Sequence, residues 1–251
     1  MQVVVGVKQV FDVDQIKIDP NTREPMYDAP LKLDDLSKNA LEEAIRIRES
    51  KGGKVTAILV GGERINEAVK EALAIGADEA KVILAEGFLD TAATAKAISE
   101  VIKSLENFDL ILFGHASVDS YSGQVGPRVA EILGLPVVTH AREIEVENGV
   151  VRVVRDLEES FEEVQTRMPC VLTVTNEINE PRLPTLSQIL TARKKPSEVI
   201  KLSDLGLVIE RKIEIVSNLA PKLERKRKVY RDDLESAVRE IVSELKREGI
   251  L

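Results

Sequence analysis

The chain opens on an apolar run at residues 3–7, and from there short apolar runs alternate with stretches of helical spacing. Residues 35–51 put Leu36, Ala40, Ala44 and Ile47 on one helical face, with Asp34 or Asp35 in front of them as an N-cap. The same pattern predicts strands over 54–60, 80–84 and 109–113, and helices over 63–75, 91–104 and from about 123 to 133. Such alternation needs crossover connections. It therefore predicts an α/β fold with a doubly wound, mostly parallel sheet covered on both faces, of the Rossmann-like kind that binds adenine nucleotides.

Past residue 150 the pattern changes. Residues 150–156 and 161–167 alternate apolar and polar positions around the acidic link Leu157-Glu158-Glu159-Ser160, which reads as a β-hairpin, and 168–175 returns to a buried strand. After Pro181 and Pro184 the alternation lapses, and residues 222–231 carry six basic side chains ahead of an amphipathic stretch, 232–248. The expected division is a nucleotide-binding α/β domain over 1–196 and an extended C-terminal arm over 197–251.

Composition narrows the chemistry. A hydrophobic fraction of 43% over 251 residues supports a packed core, and no stretch approaches the about 20 apolar residues of a membrane span. The first residues run directly into a strand and lack the marks of a signal peptide, so the expected compartment is the cytoplasm. A net charge of −8 argues against nucleic acid as a partner. One cysteine, Cys170, excludes an internal disulfide, and His115 and His140 are not at metal-ligand spacing, so no metal site is expected.

In a doubly wound sheet ligands gather beyond the carboxyl ends of the strands. Gly6, the pair Gly61-Gly62 and Gly114 punctuate those ends here. The loop Gly114-His115-Ala116-Ser117-Val118-Asp119-Ser120-Tyr121-Ser122-Gly123-Gln124-Val125 opens directly into a helix. Its small and hydroxyl residues suit a phosphate held by backbone N–H groups at a helix N-terminus. Neither a Walker lysine motif nor a GxGxxG turn occurs, so an ordinary strand-to-helix turn remains open beside nucleotide binding. Asp12 and Asp14 read as exposed loop charges, and 158–163 as a solvated hairpin tip. His115, Ser117 and Asp119 crowd one short loop and do not suit a hydrolytic triad. No catalytic residue is expected.

Taken together, these residues resemble the electron transfer flavoprotein β-subunit family. The resemblance is carried by Val7-Lys8-Gln9-Val10 with Asp12, by Asp19-Pro20-Asn21-Thr22, by Ala40-Leu41-Glu42-Glu43-Ala44, and by Ala72-Leu73-Ala74-Ile75-Gly76-Ala77-Asp78. It continues through the loop from Gly114 to Pro127, Arg155-Asp156, Glu158-Glu159, Met168-Pro169-Cys170-Val171-Leu172-Thr173, Asn179-Glu180-Pro181-Arg182 and Ala192-Arg193-Lys194-Lys195. It implies a heterodimer with an α subunit that carries the electron-transferring FAD, and an adenine nucleotide in this chain. Gln124-Val125-Gly126-Pro127 is similar to the electron-bifurcating members, which implies a second FAD; AMP is the alternative. In that group NADH is the electron donor and an acceptor dehydrogenase the docking partner.

Carried over position by position, the resemblance puts the cofactor against Gly6, Asp34, Asp35, Leu36, Ser37, Val60 and residues 114–125. The chain departs from the family's usual Asn-Pro with Leu33-Asp34-Asp35. It implies partner contacts at Asp156, near the mobile flavin domain, and at Leu186, which would dock on a dehydrogenase. An adenine-nucleotide module without redox function is the competing class, since one α/β architecture serves many purposes. A monomeric nucleotide hydrolase is a weaker rival, lacking both the phosphate-binding lysine motif and a convincing base.

Overall fold

Gln2–Val7 form β1, and the rest of the sheet is arranged around that strand. In the computed structural model, which describes residues 1–209, 212–222, 227–231 and 233–251, β1 pairs in parallel with β2 (Lys54–Gly61) on one side and with β4 (Leu110–Gly114) on the other. Beyond β2 lies β3 (Glu79–Leu84). Beyond β4 lie β8 (Cys170–Val174) and β5 (Val137–Glu147), both parallel to it. An antiparallel hairpin of β6 (Val150–Leu157) and β7 (Ser160–Arg167) closes that edge, and β9 (Ser197–Lys201) adds a parallel strand to the opposite one. Across the sheet the order is β7-β6-β5-β8-β4-β1-β2-β3-β9. The order reverses at β1, which places a topological switch point between β1 and β4.

Because side chains alternate across a strand, β1 feeds both layers of core. Val3, Val5 and Val7 face α1 (Asp35–Lys51) and α2 (Asn66–Ile75), meeting Leu41, Ala44, Ile45 and Val69 in one cluster. Val4, with Ile58, Ile83 and Ile111, faces α3 (Thr91–Lys103) and α4 (Val125–Leu133), where Ile98, Ile102 and Val129 complete the second cluster. Burial on both faces is why the central strands read as unbroken apolar runs.

Three findings depart from the sequence pattern. β5 carries no clean alternation, because a bulge between Val138 and Ala141 breaks the period of two, and the expected hairpin is part of a three-stranded meander. The helix expected over 63–75 begins as a single 3-10 turn, Glu63–Ile65, before α2. The sheet also runs past the expected limit at residue 196: β9 pairs with β3, and Ile200, Leu202, Leu205 and Leu207 pack on the second cluster.

Farther on, the described residues carry one helix, α6 (Leu234–Arg247), capped by Asp233. Its Leu234, Val238, Ile241 and Val242 are left exposed. Of the basic run at 222–231, Arg225 and Lys226 lie outside the described residues, as does Asp232, the expected start of that helix. Among the described residues no helix is long and apolar enough to cross a membrane.

The placement of β9 is directly testable. A chain ended after residue 207 should nearly keep its urea midpoint, whereas one ended after 196 uncovers the second cluster and should lose about 2–5 kcal/mol. Equal midpoints would contradict this assignment of the edge strand.

Candidate functional site

At the switch point two glycines permit close approaches. A Cβ on Gly114 would lie 2.8 Å from the carbonyl carbon of Leu36, so only glycine lets the first turn of α1 settle on the end of β4. Leu36 is buried there, and Gly6 lies buried in β1 beside the ring of Phe113. Val60 sits half-buried near the end of β2.

Asp34 joins the two walls. It is 0% exposed and caps α1, its Oδ2 accepting from Ser37 N at 2.9 Å and from Ser37 Oγ at 3.0 Å. Its other oxygen, Oδ1, accepts from the backbone N–H of Val118 at 2.8 Å, so one carboxylate holds both the helix start and the loop. Ser37 Oγ in turn accepts from Lys8 N at 3.1 Å, tying α1 to the end of β1. Asp35, the next residue, points its charge elsewhere and pairs with Lys32 and Lys38.

Lys8, which directly follows the first strand, entered the sequence reading only within the motif Val7-Lys8-Gln9-Val10, with no role at the site. Its Nζ donates to Asp119 Oδ1 at 2.7 Å and to Ser117 Oγ at 3.2 Å. Ser117 also donates to Asp119 at 2.7 Å and lies 3.2 Å from Ser120 Oγ. Burial pushes the Asp119 carboxyl upward, but the bonds from Lys8 and Ser117 outweigh it and hold the group below the usual carboxylate range. Ser117 thus serves a carboxylate and has no bond to His115, which removes the nucleophile–base pair that a hydrolytic triad requires.

His115 occupies the far wall. Its Nδ1 lies 3.3 Å from the Val174 carbonyl and its Nε2 2.9 Å from the Tyr121 hydroxyl, a pattern satisfied by an Nδ1–H tautomer that accepts from tyrosine. The ring is 5.4 Å from that of His140. Burial, then the proximity of His115 and Arg155, depresses the pKa of His140. Tyr121 and His140 both have positive φ, +46° and +58°, a conformation non-glycine residues adopt at a cost. Ala116 is half-buried, and Ser120, Ser122 and Gly123 are exposed along the loop.

The loop ends at α4, whose start, like that of α2 behind its 3-10 turn, has no side-chain cap. Asp34 caps α1 and Asp90 caps α3, but Gln124 makes no capping bond to α4. Its Oε1 is taken instead by Arg128, at 2.9 Å, and by Thr91. Among the described residues the first N–H groups of α4, those of Val125 and of the buried Gly126, meet no acceptor, with the positive end of the helix dipole behind them. Gly126 itself packs against Thr173, where a Cβ would come within 2.7 Å of Cγ2. Uncapped amides, preceded in the loop by the exposed Ser120 and Ser122, are donors of the kind that suit a phosphate.

Neither expected partner residue bonds to the 114–125 loop, although Asp156 lies near enough to His140 to draw its pKa upward. Asp156 on β6 accepts from Arg142 at 3.2 Å, and Arg142 stacks over the exposed ring of Phe161. Leu186 opens α5 (Leu186–Ala192) behind a Thr185–Gln188 capping box and is 81% exposed, beside Leu183 at 89% and Leu190 at 65%. The segment before α5 is strapped to α1. Arg182 forks onto the buried Glu42, with Nε 2.7 Å from Oε2, and onto Glu49. Burial pushes Glu42 upward, yet Arg182 and Arg46 hold it below its ordinary range. Asn179 exchanges bonds with Asn39 and donates to Glu43, whose carboxyl burial pushes upward. Sequence reasoning quoted Arg182 only as part of a motif; its pairing depends on α1, 140 positions away from it at Glu42.

Comparison with known proteins agrees with this architecture. Residues 26–205 match the electron transfer flavoprotein domain. The electron transfer flavoprotein subunit beta of Thermoanaerobacterium thermosaccharolyticum is 36% identical, with 98% of each chain covered. That of Bacillus subtilis is 34% identical over 99% of each chain. The caffeyl-CoA reductase-Etf complex subunit CarD of Acetobacterium woodii is 35% identical over 82% of this chain and 80% of its own. With a domain match over most of its length and relatives that align nearly end to end, the chain belongs to the electron transfer flavoprotein β-subunit family.

Proposed function

We propose that this chain is the nucleotide-holding half of a heterodimeric electron carrier, that it binds FAD in the crevice between β1 and β4, and that it works by flavin-based electron bifurcation with NADH as donor. The observation that carries the reading is the uncapped start of α4 at the mouth of a loop lined with hydroxyls and backbone amides. The N–H groups of Val125 and Gly126 and the hydroxyls of Ser120 and Ser122 would hold the phosphates, while Gly6, Leu36 and Val60 line the strand ends toward the nucleoside. FAD supplies the redox chemistry when bound; the chain's part is to bind it, orient it and exclude water. Support for FAD over AMP comes from the loop's Gln124-Val125-Gly126-Pro127 ending, and AMP as a structural ligand is the alternative.

The partner of this half is an α subunit, and the described residues beyond Leu207 are the surface offered to it. They leave the core, and the described residues do not fully cover the apolar side of α6. Leu186, flanked by Leu183 and Leu190, would dock on an acceptor or donor dehydrogenase, since a single aliphatic anchor suits a small interface that must release quickly. The likeness to a subunit of a reductase-Etf complex supports such an association. Asp156 would steer the mobile flavin domain of the α subunit, and the assembly would work in the cytoplasm.

Two measurements test this. Nucleotide released from the co-expressed heterodimer and quantified by absorbance and chromatography should amount to two FAD per pair; one FAD with one AMP would favour the simple carrier, and FAD alone would remove the nucleotide from this chain. Leu186→Ala should slow electron delivery to the acceptor by roughly tenfold, the effect of losing an interface anchor, with flavin content and melting temperature unchanged. Loss of flavin with normal acceptor kinetics per flavin would make Leu186 a residue of the fold.

A further inference from the structure

We propose that Asp34 and Lys8 hold the 114–125 loop in its phosphate-binding shape before any nucleotide arrives, acting as positioning residues whose side chains serve the loop, in place of the direct cofactor contact expected of the Asp34 side chain. The inference rests on the reading of the uncapped start of α4 as the phosphate site. Asp34 is fully buried and spends both oxygens inside the chain, Oδ2 on Ser37 at 2.9 Å and Oδ1 on the Val118 amide at 2.8 Å. Lys8, leaving β1, grips the same loop one residue to either side of Val118, at Ser117 Oγ and Asp119 Oδ1. Three consecutive loop residues are thus fixed by two charged groups, one rooted in α1 and one in the central strand.

Such tethers matter because a loop that must order itself on binding forfeits affinity in proportion to the fraction of time it is misplaced. The serine and amide donors of an unsupported loop of small residues would have many arrangements, and Gly123 with its φ of +63° adds freedom next to α4. The carboxylate at position 34 is specific to the task. A carboxylate offers two acceptor oxygens, whereas an amide offers one and would turn its NH2 toward one of the two N–H groups. Asparagine caps helices about as well as aspartate, so Asp34→Asn keeps the cap and removes the tether.

The test uses the co-expressed heterodimer stripped of the nucleotide in this chain and titrated with AMP and with adenosine. Asp34→Asn and Lys8→Met should each weaken AMP by about tenfold or more, the loss of a hydrogen bond to a charged group, while adenosine binding stays level. Lys8 is 44% exposed on its side chain, so its replacement spares the fold even if Asp34→Asn does not. Amide exchange at Val118 should quicken in nucleotide-free Asp34→Asn. Asp119→Asn should match Lys8→Met, and the double variant should be no worse than either. Equal losses for AMP and adenosine, unchanged AMP affinity, or additive losses in the Lys8/Asp119 pair would overturn the inference, the last by making Lys8 a direct ligand. If the unaltered heterodimer binds neither AMP nor FAD in this chain, the nucleotide reading itself fails and takes this inference with it.

Discussion

The reversal of strand order at β1 is the constraint on which the rest depends. From β1 the chain winds outward through β2 and β3, then crosses to β4 on the other side, so successive connections leave the sheet in opposite directions. Right-handed crossovers then put α1 and α2 on one face and α3 and α4 on the other, so the connections leaving the carboxyl ends of β1 and β4 diverge. Every feature of the candidate site is an answer to that opening. Gly114 lets α1 approach it, Asp34 closes one wall onto the other, and the loop to α4 spans it.

Polar groups are spent unequally around the opening. The starts of α1 and α3 are satisfied by buried carboxylates, Asp34 and Asp90, so neither competes for an anion. α4, which like α2 has no side-chain cap, is left to find its partner elsewhere, while Gln124 turns its side chain back to Arg128. A second concentration of charge, Arg182 with Glu42 and Glu49, stands on the far side of α1 and mounts the segment that leads to Leu186. At its other end α5 is pinned by the buried Ala192 and by Lys195, whose Nζ donates to the carbonyls of Leu73 and Ala77 at the end of α2. An exposed leucine cluster held at both ends is a rigid surface, and rigidity limits the ordering cost of docking.

Much of this was legible in the chain because burial on both faces leaves a strong signal. β1, β2, β4 and β8 read as apolar runs, and α1 announced its cap, start and buried face. β5 was not legible because its bulge moves Ala141 onto the face of Val138 and destroys the alternation that defines a strand. β9 hid for another reason: at an edge of the sheet only Ile200 of its five residues is even half-buried. The loop from Gly114 could be found from its glycines and its position before a helix. The parts played by Lys8 and Arg182 could not, since each depends on a partner brought close only by the fold, 111 positions away for Lys8 and Asp119.

The central claim is that the uncapped start of α4 receives the phosphate of an adenine nucleotide at the switch point. A crystal structure of the heterodimer with its bound nucleotide tests it most directly. The account predicts phosphate oxygens within hydrogen-bonding distance of the Val125 and Gly126 amides, with the nucleoside running toward the ends of β1 and β2. A nucleotide seated at another helix start, or a strand-end crevice filled by side chains of the α subunit, would contradict it.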